Sequence, residues 1–231
     1  QVDDTYNIVQ YSSRYCAIDC EILCQGYNTF RSWILEHLQI DIDDVLTSAS
    51  LADKYFINTK CYDGVYQLGG IPQMFIQGCV VGGRTMVADN TKIAIDAKIN
   101  DFDAVSLYPS AMHRMEGFLK GTPKVITNLS YDWLKKQDGY FVDIRIKKVG
   151  IRRHFPLLSF KNDDGVRMFS NDMIGHIVRV DKYTLEDLIK FQDVDFDIIR
   201  GYYFNEGFNT QVNKTILHLF NKRLEMKKQG N

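Results

Sequence analysis

The sequence predicts a mixed α+β fold, in which helices and strands occupy separate stretches of the chain. Residues 12–38 and 209–229 place apolar side chains at helical spacing. Residues 140–149 instead alternate between apolar and polar side chains, which is typical of a strand with one buried face. The chain has 231 residues, 45% of them hydrophobic and 25% charged. That is the composition of a globular protein and the length of one large domain or two small ones.

Charge and cysteine content narrow the class of protein. The net charge of −1 indicates no general affinity for nucleic acid, although bases outnumber acids from Lys214 onward. No apolar run approaches the length of a membrane span, so no membrane partner is expected. Five cysteines without secretory features predict reduced thiols and an intracellular protein. The sequence does not decide whether the compartment is a viral replication site, the cytoplasm, the nucleus or an organelle.

The N-terminal region is predicted to be helical. A helix spans Ser12–Leu38, with a break near Gly26. Tyr15 and Asp19 are four residues apart, so a phenol and a carboxylate share one helix face and can reach the same metal-bound water. Three further residues are expected to face the core as small side chains rather than to bind a metal: Cys16, Cys20 and Cys24. A second helix is predicted at Asp41–Ile57.

The central stretch carries acidic residues at the end of a predicted strand. That strand covers Lys98–Val105, and Pro109 then opens a helix over residues 110–115. In a regular strand Asp101 and Asp103 share one face. Acids at a strand end before a tight turn are typical of a metal site, although solvated acids at the end of an ordinary buried strand have the same pattern.

The C-terminal half alternates between predicted strands and helices. Asp193, Asp195 and Asp197 are interpreted as the solvated start of a strand rather than as a catalytic tip. The predicted strands are Tyr140–Val149, Ile174–Val180 and Phe196–Tyr203, and the predicted helices are Thr184–Phe191 and Asn209–Gln229.

Several strings resemble motifs of family B DNA polymerases, in the order that the family uses. Asp103-x-x-Ser-Leu-Tyr-Pro-Ser resembles the first palm motif, and Tyr15-x-x-x-Asp19 resembles the third motif of the 3′–5′ exonuclease. The last helix is similar to the first fingers helix. Between exonuclease and palm, Gly82-Gly83-Arg84 resembles the Tyr-x-Gly-Gly linker, with Val80 where the family has tyrosine.

The resemblance implies roles for individual residues. Asp103 and the carbonyl of Ala104 would bind Mg²⁺ or Mn²⁺, and Asp19 would bind the exonuclease metal. Asp101 matches no metal-binding position. Tyr108 would lie under the incoming sugar and exclude a 2′-hydroxyl, whereas a core aromatic is the alternative. The other implied site residues are Val105, Ser106, Leu107, Arg223 and Lys227 for nucleotide, Gly82, Gly83 and Arg84 for DNA, and Tyr15 for the exonuclease.

The resemblance also implies a domain plan. Residues 1–40 would end an RNase-H-like exonuclease domain, 41–85 would link it to the palm, 86–125 would belong to the palm, and 206–231 would begin the fingers. The interval between Asp103 and Arg223 is long and leaves room for an insertion at residues 126–205. Such an insertion indicates the protein-primed, viral or organellar-plasmid branch of the family. The expected partners are template-primer DNA, dNTP and a terminal protein primer.

The predicted activity is that of the parent protein, a DNA-directed DNA polymerase with an associated exonuclease. Gln1 is not an initiator methionine, and the second palm aspartate motif is absent from this sequence. An internal fragment without polymerase activity of its own is therefore expected. The alternative is a non-enzymatic module, derived from a polymerase, that binds nucleic acid or terminal protein. A free-standing nuclease built around Asp19 is disfavoured because its partner acids are missing.

Overall fold

A computed structural model describes residues 7–162 and 164–228. The chain divides into two compact units, Gln1–Lys60 and Cys61–Asn231. The predicted α+β class is confirmed. The α-helices are α1 Ile8–Leu38, α2 Ser48–Asn58, α3 Gly70–Gln77, α4 Leu107–Arg114, α5 Tyr131–Leu134, α6 Lys182–Gln192 and α7 Gln211–Lys228. The strands are β1 Phe118–Leu119, β2 Lys124–Val125, β3 Gly139–Val149, β4 Ser159–Lys161, β5 Arg167–Phe169, β6 Ile177–Asp181, β7 Val194–Phe204 and β8 Phe208–Asn209.

The first unit is dominated by α1, which starts earlier than predicted and has no break. The Asn7 side chain accepts a hydrogen bond from the Gln10 amide at 3.1 Å and begins the helix. The predicted break at Gly26 is wrong. A glycine inside a helix costs only about 1 kcal/mol relative to alanine, which does not interrupt 31 residues of continuous backbone hydrogen bonding. Gln39, in the left-handed conformation with φ 57°, ends the helix.

The chain after α1 contains two short helices rather than the single one predicted for Asp41–Ile57. A 3₁₀ helix covers Ile42–Asp44, and α2 begins separately because the Thr47 hydroxyl caps it by accepting from the Ser50 amide at 3.1 Å. Arg31 fixes this turn through two hydrogen bonds to the Asp41 carboxylate. The buried core of this unit consists of Ile40, Ile42 and Leu51.

The prediction that the α1 cysteines face a core is wrong within this chain. Cys16, Cys20 and Cys24 are exposed, and α1 contains no buried residue. The reason is the position of the core, which includes Ile34 and Leu38 and therefore reaches only the last turns of the helix.

The second unit is built on a four-stranded antiparallel sheet in the order β2-β7-β3-β6. The predicted strands at 140–149 and 196–203 are confirmed and pair with each other, and the strand predicted at 174–180 begins later, at Ile177. Alternate side chains of β3 point into the main core, where they meet α6. The fully buried members from these two elements are Tyr140, Val142, Ile144, Ile146, Leu185 and Leu188.

Gly201 allows the two long central strands to approach. A Cβ atom at this position would lie 2.1 Å from the Phe141 carbonyl oxygen and 2.9 Å from Val142 Cα. Both contacts are to backbone, which cannot rotate away, so any side chain here would push β7 off β3. The close approach fixes the register that places the inward-facing residues together.

The outer face of the sheet carries a buried acid held by two arginines. The carboxylate of Asp143 accepts hydrogen bonds from Arg179 Nε at 2.7 Å and from Arg200 Nε at 2.8 Å. Phe75 of α3 covers the cluster, with the Arg179 guanidinium 3.8 Å from its ring centre. Burial alone would raise the pKa of Asp143, but the hydrogen bonds from both arginines hold it below the usual carboxyl range. The cluster therefore attaches α3 to the sheet.

The acids of β7 remain at the surface, as predicted. Lys147 Nζ lies 3.3 Å from Asp195 and 3.2 Å from Asp197, and these groups are well exposed. Exposed pairs of this kind contribute little to stability. Asp193 ends α6 with φ 47° and is an element boundary rather than part of a metal site.

The strand predicted at Lys98–Val105 is wrong. These residues are irregular and exposed, and they pair with none of the strands in the described parts of the chain. β-branched residues favour an extended backbone, but a strand also needs a neighbour whose N–H and C=O groups face it. Asp101 and Asp103 therefore do not share the face of a regular strand here.

No helix within residues 7–162 and 164–228 is long and apolar enough to cross a membrane.

Candidate nucleotide-binding site

The candidate site is organised around the turn that leads into α4. Ser106 has φ 48° and ψ 54°, a left-handed conformation that redirects the chain into the helix. The Ser110 amide donates to the Ser106 carbonyl at 2.9 Å, and the Ser110 hydroxyl donates to the Val105 carbonyl at 3.2 Å. The predicted helix after Pro109 is confirmed, although it begins earlier, at Leu107, and its last residue is Arg114. The motif thus forms a closed turn, on which Asp103, Leu107 and Tyr108 are exposed.

The predicted catalytic side chains lie at the surface of this turn. Asp103 and Ala104 are exposed just before it, and Tyr108, in the first turn of α4, is 76% exposed. The alternative in which Tyr108 is a core aromatic does not agree with this exposure. The Tyr108 ring is accessible for contact with a ligand.

The structure brings the last helix to the motif. Arg223 of α7 donates from Nη1 to the Ser106 hydroxyl at 3.0 Å, across 117 positions of sequence. Lys227 follows one turn later on the same helix, and both cationic side chains are exposed. Two of the predicted nucleotide-binding residues, Ser106 and Arg223, are therefore in direct contact.

α4 and α7 pack side by side and are joined at their other ends as well. A cleft of about 130 Å³ lies between them, lined by apolar residues that include Pro109, Leu217 and Phe220. At the far end of the cleft, Asn213 Nδ2 of α7 donates to the carbonyl oxygens of Met112 at 3.2 Å, His113 at 3.0 Å and Met115 at 2.6 Å. Sequence reasoning missed Asn213, because an asparagine within a helix has no local pattern that indicates such a role.

The segment predicted to contact DNA is only partly free. Gly82 and Gly83 are exposed, and a Cβ atom at either position would meet nothing within 4 Å. The Arg84 guanidinium instead lies 4.5 Å from the centre of the Phe169 ring and donates to the Pro156 carbonyl. Burial, with a smaller effect from the Arg153 charge, lowers the pKa of Arg84. Arg84 thus holds the glycine segment against the β4–β5 region.

The candidate exonuclease residues lie in the other unit. Tyr15 and Asp19 are both on α1, four residues apart as predicted, and both are exposed. The Tyr15 ring stacks on that of Tyr11, with 6.4 Å between ring centres. The pair therefore shares a face that is open to a ligand.

Comparison with known proteins assigns the family. The family model described as DNA polymerase type B, organellar and viral, matches residues 1–231. The chain belongs to this family. The predicted resemblance to family B polymerases, and to their viral and organellar members, is confirmed.

A solved structure of phi29 DNA polymerase shares the fold of part of this chain. The orthorhombic crystal form of phi29 DNA polymerase matches with 22% identity and a TM-score of 0.52, over 76% of this chain. The phi29 complex with primer-template DNA and incoming nucleotide matches with 23% identity and a TM-score of 0.49, also over 76% of this chain. The match spans 35% of the phi29 chain in each case. No curated protein matches the sequence.

The donor groups of a type B polymerase metal site are present in part. Within the described residues there is no cluster of three or more His, Cys, Asp or Glu side chains that could enclose a metal. Asp103 and Ala104 are adjacent in sequence and both exposed, so a carboxylate and a main-chain carbonyl are the candidate oxygen donors. Magnesium is commonly held by one or two carboxylates together with substrate phosphates and water. The chemistry of these two donors is compatible with Mg²⁺.

Proposed function

We propose that this chain forms the nucleotide-binding part of a DNA-directed DNA polymerase, which transfers a nucleotide from dNTP to a primer hydroxyl. The observation that carries the proposal is the hydrogen bond between Arg223 and Ser106, which joins the two strings assigned to nucleotide binding. Family membership supports the reaction class. Phosphoryl transfer depends on positioning and charge neutralisation, and the proposed site would supply both.

The triphosphate would lie along the start of α4 and the exposed face of α7. Arg223 and Lys227 would contribute two positive charges from one helix face. The first backbone N–H groups of a helix have no acceptor within it and carry partial positive charge, so those of Leu107 and Tyr108 would face the phosphate oxygens. Val105 and Ser106 would form the wall of the site through the turn.

Asp103 and the Ala104 carbonyl would hold Mg²⁺ or Mn²⁺ beside the phosphates. A divalent cation there neutralises charge that develops on the transferring group.

Other parts of the chain would contact the DNA and the terminal protein or belong to the exonuclease. The exposed glycines Gly82 and Gly83 let a nucleic-acid backbone approach closely. Residues 126–205 would form the insertion that contacts duplex DNA and the terminal protein of a protein-primed polymerase. Tyr15 and Asp19 would belong to the 3′–5′ exonuclease of the parent protein, with Asp19 as one metal ligand.

The proposal is tested by comparing two proteins for primer extension. The first is this 231-residue chain, whose sequence has no Asp-Thr-Asp motif. The second is the same chain continued through its downstream coding sequence to the second palm aspartate. We expect metal-dependent extension from the second protein and none from the first. If the longer protein binds primer-template but never extends it, a non-enzymatic binding module is the better description. Extension by the short chain would show that its activity does not require the second palm aspartate motif.

Sugar selection is expected to depend on the ring of Tyr108. In the longer protein, Tyr108→Val removes the flat surface against which a 2′-hydroxyl would clash, so discrimination against ribonucleotides should fall by roughly tenfold to a hundredfold. Tyr108→Phe retains the ring and is the matched control. The measurement is the ratio of kcat/KM for dNTP and rNTP. An unchanged ratio in Tyr108→Val would contradict the steric role proposed for the Tyr108 ring.

A further inference from the structure

Asn213 joins α7 to the end of α4 that is distant from the nucleotide motif. Its Nδ2 group donates to three main-chain carbonyls, those of Met112, His113 and Met115. The main-chain carbonyl oxygen of Asn213 lies 3.3 Å from His113 Nδ1. The last carbonyl oxygens of a helix receive no hydrogen bond from an N–H group of the same helix. Asn213 therefore supplies a donor to carbonyls that have none within α4.

The amide of Asn213 is oriented by this contact. Carbonyl oxygens only accept hydrogen bonds, so the nitrogen of the side chain must face them. Its Oδ1 atom is buried without a hydrogen-bond partner among the described residues. Leaving a buried oxygen unpaired costs about 1–3 kcal/mol, and the bonds that the two Nδ2 hydrogens share among the carbonyls at the end of α4 offset that cost. Aspartate would have the same shape but no N–H group to donate.

The two helices are therefore held at two separated points. Asn213 and Arg223 are ten residues apart on α7, which is about 15 Å along a helix. Asn213 contacts the end of α4, and Arg223 contacts Ser106 at its start, so the helices run antiparallel. Between these points lies the cleft, whose lining combines apolar side chains with those of Ser110, His113 and Arg114. Within the described residues, the Asn213 contact joins α7 to α4 without involving a group assigned to the nucleotide.

We propose that Asn213 is a positioning residue for dNTP binding, which sets the axial position of α7 so that Arg223 reaches the turn at Ser106. This inference rests on the proposed function of Arg223. Loss of the Asn213 contact leaves the chemistry of the site intact, but it lets α7 shift and withdraws the cation from the phosphates. The effect should appear in KM for dNTP rather than in kcat.

The test uses the complete polymerase with the variants Asn213→Ala, Asn213→Asp, Arg223→Ala and the double variant Asn213→Ala/Arg223→Ala. Steady-state rates are divided by the burst amplitude, so that only correctly folded enzyme is counted. We expect each single variant to raise KM for dNTP roughly tenfold with kcat changed less than about threefold. Because Asn213 acts through Arg223, the double variant should have about the KM of Arg223→Ala alone.

Each outcome bears on a different claim. If the effects of Asn213→Ala and Arg223→Ala multiply, or if kcat falls as much as KM rises, Asn213 has a general structural role and the inference is wrong. If Arg223→Ala raises KM and neither Asn213 variant does, only the positioning role is lost. If Arg223→Ala itself leaves KM unchanged, the proposed function of Arg223 fails. A burst amplitude near zero for both Asn213 variants would also contradict the inference, since the residue would then be required for folding.

Discussion

Primer extension by the longer polymerase is expected to fall by roughly 10³-fold when Asp103 is replaced by asparagine, which corresponds to about 4 kcal/mol. Asparagine has nearly the same size as aspartate, but it lacks the negative charge that would bind the cation. Asp103 is exposed and has no ion-pair partner in the described residues, so its loss should not disturb the fold. The measurement is single-turnover extension of a labelled primer at saturating dNTP.

Asp101→Asn is the matched control for this prediction. It makes the same chemical change two residues earlier, at another exposed position that matches no metal-binding position of the motif. We expect Asp101→Asn to extend primers within a few-fold of the parent protein, and both variants to bind primer-template with unchanged affinity. Equal losses in the two variants would indicate a general effect of charge, and retained extension in Asp103→Asn would remove Asp103 from the metal site.

The parts of the fold that could be predicted are those determined by local pattern. The alternation of residues 140–149 was sufficient to predict β3, and helical spacing was sufficient for α1 and α7. The motif around Ser106 was recognisable because its side chains are few, specific and adjacent in sequence. Its partner Arg223 could be predicted only through the order of motifs in the family, since 117 positions separate the two residues.

The parts that could not be predicted depend on distant partners. Residues 98–105 have the composition of a strand, but a strand is not determined by composition when no neighbouring strand pairs with it. Asn213 is ordinary in sequence, and its three acceptors lie about one hundred positions earlier. Arg84 was expected to reach DNA, and its contacts with Phe169 and Pro156 could not be read from Gly-Gly-Arg.

Asp143 belongs to the same class of residue. The alternation of residues 140–149 puts Asp143 on the polar face of β3, which usually faces solvent, yet it is only 4% exposed. Two arginines from later strands and Phe75 of α3 cover it. Because α3 ends at Gln77, just before Gly82, the cluster also fixes the chain that leads to the proposed DNA contact. This buried charge should therefore have a large effect on the stability of the second unit.

Replacing Asp143 by alanine is expected to destabilise the second unit by about 3 kcal/mol, because it leaves two arginines without their shared acceptor. Asp197→Ala, which removes an exposed partner of Lys147 on the same face, should cost less than about 0.5 kcal/mol. Denaturant unfolding can be followed by the fluorescence of Trp133, which packs on Tyr203, in a chain with Trp33→Phe. If the two aspartate variants lower the free energy of unfolding by similar amounts, the burial of Asp143 does not determine its contribution to stability.

The same cluster predicts a pH dependence with a defined sign. The folded pKa of Asp143 lies below the ordinary carboxyl value, so the folded state binds its proton less readily than the unfolded state does. Its stabilisation is complete above about pH 4, the pKa of an unperturbed aspartate, and is lost as the pH falls through the lower folded pKa. The isosteric variant Asp143→Asn cannot titrate, so the difference in unfolding free energy between wild type and this variant should be constant from pH 7 to pH 5 and should shrink towards pH 3. A difference that grows on acidification would mean that burial, which raises the pKa, outweighs the two arginines.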